Sequence, residues 1–409
     1  MLSKSWSTTW GMIKPLSGVE RMLVLGLLTH FVLLLLLGKT YTKTAVYSHI
    51  YLHDLLLVGL SGFSMFFKST GRIKSIEILI GASVFYLILS FVFQVNELQM
   101  NHLYLRQFMV FGYLMLTYFV IKAFMTLPNA PVLLVRILLV IALLSLVFQL
   151  VHVFDIYSRS GSIPFFKRRY FTPLTVVGVL TLGAYCLVYI KRWYRYLLFA
   201  FLLVVSFTFG HDSAYLGMVL IFLAYLFLKA SKGIKIFLVL LAGITLVLLF
   251  LFVDTFTDVN MYWRIICWRE ILLEMCSNGS ILYGKGFGVP YIEPETVEKL
   301  NQIVVNGQQG VQISSDPLRG YVVAPHNSFL TMIIHLGLGS LVLLFWPIKK
   351  LFSKNVRSTQ PEIFFLVLAL IGSGVWAFFN VILELPHSST YIWVIYFTLI
   401  FIISNDTNK

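Results

Sequence analysis

The feature that most constrains this chain is its unbroken apolar runs, such as Phe31 to Leu37 and Ile236 to Val253. Strands of a membrane barrel alternate polar and apolar residues, and these runs do not. A soluble fold with 59% apolar and 12% charged residues lacks the polar surface to face water. Lipid can face such runs. Inside lipid each backbone N–H and C=O must be bonded within its own segment, which selects helices. The expected fold class is all-α, a polytopic membrane protein with about twelve transmembrane helices and one large loop.

Spans are expected near 20–38, 54–67, 75–94, 107–125, 132–153, 171–190, 196–210, 213–229, 234–253, 326–346, 361–384 and 389–404. This divides the chain into a nine-helix membrane region (1–253), a loop (254–325) and a three-helix membrane region (326–409). The first run stays as an anchor, since it is long enough to span. The net charge of +14 does not point to nucleic acid, because the basic residues sit between apolar runs rather than on one patch. With the N-terminus inside, 19 of the 31 Lys and Arg fall on the cytoplasmic side, against 4 of the 17 acidic residues. That bias places both termini in the cytoplasm and 254–325 outside. No pairing is expected between Cys267 and Cys276, which lie too far apart along one helix.

Chemistry-bearing residues gather around this loop. Arg264 and Trp268 share a helix face, with Arg269 and Glu270 beside them. A guanidinium there can grip a phosphate in two places, or can anchor an interfacial helix. Tyr283-Gly284-Lys285-Gly286-Phe287-Gly288 reads as a turn, or as backbone N–H groups and a lysine near an anion. His326 stands where the loop re-enters the membrane and can take a proton from a hydroxyl. Asn327 or Ser328 can instead cap the following helix. His335, deeper in the same span, reads as a packing or hydrogen-bonding residue. Lys167-Arg168-Arg169 ends another outer loop and suits an anionic headgroup, or a plain place in the membrane interface. No metal-ligand spacing stands out.

The order Arg264-x-x-x-Trp268, then Tyr283 to Gly288, then His326-Asn327-x-Phe329-Leu330 and Leu336-Gly337-Leu338-Gly339 resembles the bacterial O-antigen ligase/polymerase family. The motif block covers about residues 210 to 345. The resemblance implies an inner-membrane enzyme that works on its periplasmic face without metal or cofactor. It would move a glycan from undecaprenyl pyrophosphate to a hydroxyl of the lipid A core, or of a second carrier-linked glycan. It further implies that Arg264 holds the pyrophosphate, that His326 is the acid/base or acceptor-orienting residue, and that Arg269, Lys285, Trp268 and Asn327 contact substrate. Where the family carries a Ser-Arg pair, this chain reads Gly210-His211-Asp212-Ser213, so Arg168 or Arg169 would supply the second cation. The alternative class is a lipid-linked glycan flippase or other multi-pass transporter, which would place ionisable groups near the bilayer midplane.

Overall fold

The computed structural model describes residues 16–47, 50–68, 71–95, 98–162, 172–210, 212–231, 259–305, 308–309, 318–322, 324–352 and 360–406. The expected span at 234–253, and Arg168, Arg169 and His211, lie outside the described residues.

The described chain is all-α apart from two short hairpins. Its helices are α1 (Gly18–Leu36), α2 (Lys39–Lys43), α3 (Leu52–Ser64), α4 (Lys74–Val92), α5 (Asn101–Phe124), α6 (Ala130–Ser160), α7 (Pro173–Tyr189), α8 (Tyr194–Phe207) and α9 (Asp212–Lys229). After these come α10 (Val259–Ser277), α11 (Ser280–Tyr283), α12 (Pro294–Asn301), α13 (Leu318–Val322), α14 (Ser328–Leu336), α15 (Leu338–Phe345), α16 (Pro361–Phe379) and α17 (Ser389–Asp406). The hairpins pair β1 (Ala45–Tyr47) with β2 (Ile50–Tyr51), and β3 (Val304–Val305) with β4 (Gln308–Gln309).

Among the described residues six helices, α1, α4, α5, α6, α9 and α16, are long and apolar enough to cross a membrane. The apolar helices α3, α7, α8 and α17 are shorter. α5 is the most enclosed of the long ones, running through a core shared with α7, α16 and α17. At one end of α5, Lys122 pairs with Glu77 at 3.0 Å, and Glu77 also pairs with Arg72 at 2.7 Å. At the other end, the amide of Gln107 donates to the carbonyls of Val289 and Tyr321 and accepts from Gly288 N–H. These are called below the basic end and the loop end.

Two expected spans need correction. The run 326–346 is not one helix, because α14 and α15 meet at Gly337 with a bend of 118°. Gly337 has φ +71° and its Cα faces the carbonyl of Leu282, a place where a side chain would clash. The run 361–384 stops as helix at Phe379, because Asn380 turns extended. The segment 380–388 therefore becomes a loop-end connection to α17 rather than membrane helix.

The polar stretch 290–320 also folds further than a plain loop, forming α12 and the β3–β4 hairpin. α10 is positioned by a stripe of Trp263, Cys267, Ile271 and Met275, one residue per turn on one face. That stripe packs on Leu300, Tyr291 and Ile292, and on Leu330, Ile333 and Ile334 of α14. A helix buried this way is a packed element, not merely an anchor lying at the lipid surface.

Candidate functional site

The site is built on the turn that leads into α14. The Asn327 side-chain oxygen accepts from the N–H groups of Phe329 and Leu330, both at 3.0 Å, and so caps α14. His326, just before the cap, is half-buried with φ +52°. A non-glycine residue there is uncommon and is held by its surroundings. His326 N–H donates to Ala324 at 2.8 Å, and the imidazole edge meets the Trp263 ring at 6.4 Å between centroids.

Arg264 and Trp268 lean on the end of α16. Arg264 Nη1 donates to the Phe379 carbonyl at 3.0 Å. The Trp268 ring packs against Phe378 and Phe379, and its Nε1 donates to the Pro325 carbonyl. So α10 grips both α16 and the residue that precedes His326. Arg264 and His326 belong to one corner of the molecule although 61 positions of polar and apolar sequence separate them.

Segment 380–384 ties this corner together. Ser328 Oγ accepts from Ile382 N–H at 2.9 Å and Leu383 N–H at 3.1 Å. Its own proton then points to Glu384 Oε2 at 2.7 Å or to the Asn380 carbonyl at 3.0 Å. Asn380 Nδ2 donates to Ser213 Oγ at 2.7 Å, at the start of α9. The start of α9 thus reaches the same corner through Ser213. Burial raises the pKa of Glu384, opposed by the hydroxyls of Ser328 and Thr331 and by N–H groups of its own segment. Glu384 Oε1 is buried and takes no hydrogen bond among the described residues.

Glu384 and Asn380 are the functional candidates that the sequence reading missed. Both fell inside the expected 361–384 span. The available signal was a single carboxylate at the end of an otherwise apolar run, which is costly in lipid and marks a site by default.

The other expected site residues divide. Lys285 is nearly buried and is paired with Glu274 and, at 3.4 Å, with Glu293. The two carboxylates engage the lysine within the fold, so its charge is already partnered in this structure. The glycine run around it is a turn, not an anion cradle. Lys285 N–H donates to Ile334 at 2.6 Å, Gly286 N–H to His335 at 3.1 Å, and Phe287 N–H to Ser90 Oγ at 3.0 Å. His335 packs on Phe287 at 4.8 Å and bonds the Gly286 carbonyl at 2.7 Å, the packing and hydrogen-bonding part expected of it. Arg269 is exposed, five positions from Arg264 and so on a different face of α10. Among the described residues no group of three or more His, Cys, Asp or Glu is arranged to hold a metal ion. Comparison with family models, with curated proteins and with solved structures finds no match for this chain.

Proposed function

We propose that the chain is a membrane glycosyltransferase that moves a glycan from undecaprenyl pyrophosphate to an acceptor hydroxyl, as an O-antigen ligase or polymerase of the bacterial inner membrane would. The observation that carries this reading is the convergence of Arg264, His326 and Glu384 on one corner at the loop end, in a chain whose motifs run in that family's order. In the reaction the acceptor oxygen bonds to the anomeric carbon as the bond from that carbon to the pyrophosphate breaks. Pyrophosphate is already a good leaving group. The protein therefore has to hold its charge and accept the hydroxyl proton. Arg264, fixed by the Phe379 carbonyl, holds charge at every working pH. His326 accepts or directs the proton. On this reading the acceptor is a lipid A core or a second carrier-linked glycan, and the site opens on the periplasmic face.

The test is transfer from purified carrier-linked glycan by the full chain in nanodiscs. Transfer by the wild-type chain is expected, with His326→Ala slower by about 10²- to 10⁴-fold, the range for an acid/base group. His326→Asn is the informative companion, because Asn tolerates the left-handed backbone but cannot take up the proton. Near-normal turnover in His326→Ala would remove His326 from the chemistry. A second reading, a lipid-linked glycan flippase or other transporter, is favoured by a polar contact among the apolar helices, where the buried His53 lies 2.8 Å from Asp54 and the Tyr113 hydroxyl donates to the same carboxylate. Vesicle uptake of carrier-linked glycan without transfer would select it.

A further inference from the structure

Residues 379–384 stand between the two groups assigned to the chemistry. At one end of this segment the Phe379 carbonyl accepts from Arg264 Nη1 at 3.0 Å. Toward the other end Ile382 and Leu383 donate their N–H groups to Ser328 Oγ at 2.9 and 3.1 Å. Ser328 opens α14 and follows His326 by two positions. The segment thus links the carbonyl that holds Arg264 to the turn that carries His326.

Neighbouring elements pin the segment. Asn380 Nδ2 donates to Ser213 Oγ on α9 at 2.7 Å and to the Trp376 carbonyl of α16 at 3.1 Å. Ser388 Oγ, just before α17, donates to the Ile382 carbonyl at 2.8 Å. On α14 the contact depends on one fully buried hydroxyl, that of Ser328. A hydroxyl has two acceptor sites and one proton. Ile382 and Leu383 occupy both acceptor sites, so the proton completes the contact. Glu384 Oε2 at 2.7 Å is its nearer acceptor, ahead of the Asn380 carbonyl at 3.0 Å. Glu384 Oε1 is buried and takes no hydrogen bond among the described residues. Such an atom costs stability, and the fold carries that cost where the segment meets the site.

The turn at His326 needs holding. Its φ of +52° is uncommon for a residue with a side chain, and such conformations persist only where the surroundings over-determine them. Three consecutive contacts bracket it. Trp268 Nε1 donates to the Pro325 carbonyl before it, Asn327 caps α14 after it, and Ser328 then bonds the 379–384 segment. The last of these is the contact that also leads to Arg264.

We propose that Ser328 and Glu384 are positioning residues of this corner. Their contact latches 379–384 to α14 and so sets His326 against Arg264. Neither side chain makes or breaks a bond to substrate or carries its proton. The effect of the latch on rate rests on the transfer reading above, whereas its effect on the turn does not.

The experiment takes two readouts from the full chain in nanodiscs. One is kcat and KM for transfer from purified carrier-linked glycan. The other needs no substrate: the indole N–H signal of Trp268 in nitrogen NMR with tryptophan labelled, identified by its loss in Trp268→Phe. Glu384→Gln keeps the reach and an acceptor for Ser328 but removes the charge. Glu384→Asp keeps the charge and shortens the reach by one carbon. A latch survives the first change and fails in the second, and a group acting by charge or proton transfer does the reverse. Ser328→Ala, Glu384→Ala and Glu384→Asp are expected to lower kcat by about 10- to 100-fold, the scale of a misplacement of about 1 Å, with little change in KM. The same variants should shift the Trp268 signal, because the Pro325 carbonyl moves with the turn. Glu384→Gln should restore both the rate and the signal that Glu384→Ala loses. Ser328→Ala combined with Glu384→Ala should be no slower than either alone, since both break one contact. A Glu384→Gln variant as slow as His326→Ala, beside a near-normal Glu384→Asp, overturns the proposal. So does a Trp268 signal that Ser328→Ala, Glu384→Ala and Glu384→Asp all leave in place. A wild-type chain that transfers nothing ends the transferase reading, and the Trp268 signal alone then decides the latch. Glu384→Asp, the mildest change, keeps the test decisive if Ser328→Ala does not fold.

Discussion

At the scale of single residues, position matters more than residue type. Arg264 and Arg269 are the same side chain on the same helix, yet only Arg264 is fixed at the corner shared by His326 and Glu384. Arg264→Ala should therefore abolish transfer while the protein still accumulates in the membrane, and Arg269→Ala should reduce it far less. Arg264→Lys should recover part of the rate, because lysine keeps the charge without the planar fork. Quantified surface glycan, set against protein level by immunoblot, checks this. Equal loss from both alanine variants would mean that the corner does not select Arg264. Glu384 yields a prediction free of any substrate. Burial raises its folded-state pKa above the unfolded value, so the fold favours the neutral carboxyl. The stability this contributes is fully present below the unfolded pKa and is lost as pH rises through the raised folded value. Glu384→Gln resembles the neutral form and still accepts from Ser328. The variant should lose that pH dependence and melt above the wild type at the alkaline end. Thermal unfolding across pH measures it, and parallel curves for the two proteins would refute it.

At the scale of elements, the helices were legible in the sequence and their breaks were not. Hydropathy locates α1, α4 and α9 to within two residues, because a lipid-facing helix must be apolar along its whole length, whereas α5 starts earlier and α6 ends later than expected, where polar residues join the helix. The same averaging hid the turn at Gly337 and the end of α16 at Phe379. Leucines flank Gly337, a single polar residue, Asn380, follows Phe379, and both breaks are held by tertiary contacts. Asn380 turns out to bond Ser213, distant in sequence. The site suffered in the same way. Arg264, His326 and the capping role of Asn327 follow from local chemistry, whereas Glu384 acquires meaning only once Ser328 is seen beside it. The bend can be tested directly. Gly337 and Gly284 cross so closely that each α-carbon faces the backbone of the other's strand of chain, Leu282 for Gly337 and His335 for Gly284. Gly337 also has φ +71° and ψ −177°, a conformation essentially reserved for glycine. Gly337→Ala should cost about 2 kcal/mol or more and lower the melting temperature. Gly339→Ala, two residues away in α15 with open space around the added methyl, should leave it unchanged or raise it. Similar behaviour of the two variants would show that the crossing is loose.

At the scale of the whole molecule, α5 relates the two faces. Its Gln107 holds the segment that contains Val289 and Tyr321, and its Lys122 holds Glu77. Between these two residues lie about 22 Å of helix at 1.5 Å per residue, most of a bilayer core. The corner formed by Arg264, His326 and Glu384 and the cluster of Arg72, Lys74 and Lys122 therefore belong to opposite ends of one buried helix. Basic residues concentrate on the cytoplasmic side of membrane proteins, so we propose that this cluster faces the cytoplasm and the corner the far side. The orientation matters for the proposed reaction, which that reading places on the periplasmic face. Reporter fusions at Asn301, in α12, and at Ser353, in the basic stretch that precedes α16, separate the possibilities. An alkaline phosphatase fusion should be active at Asn301 and inactive at Ser353, with a fluorescent cytoplasmic reporter giving the reverse. The opposite pattern would put the corner in the cytoplasm and end the periplasmic-transfer reading. Activity at both positions would place both segments on one side, against the α5 geometry.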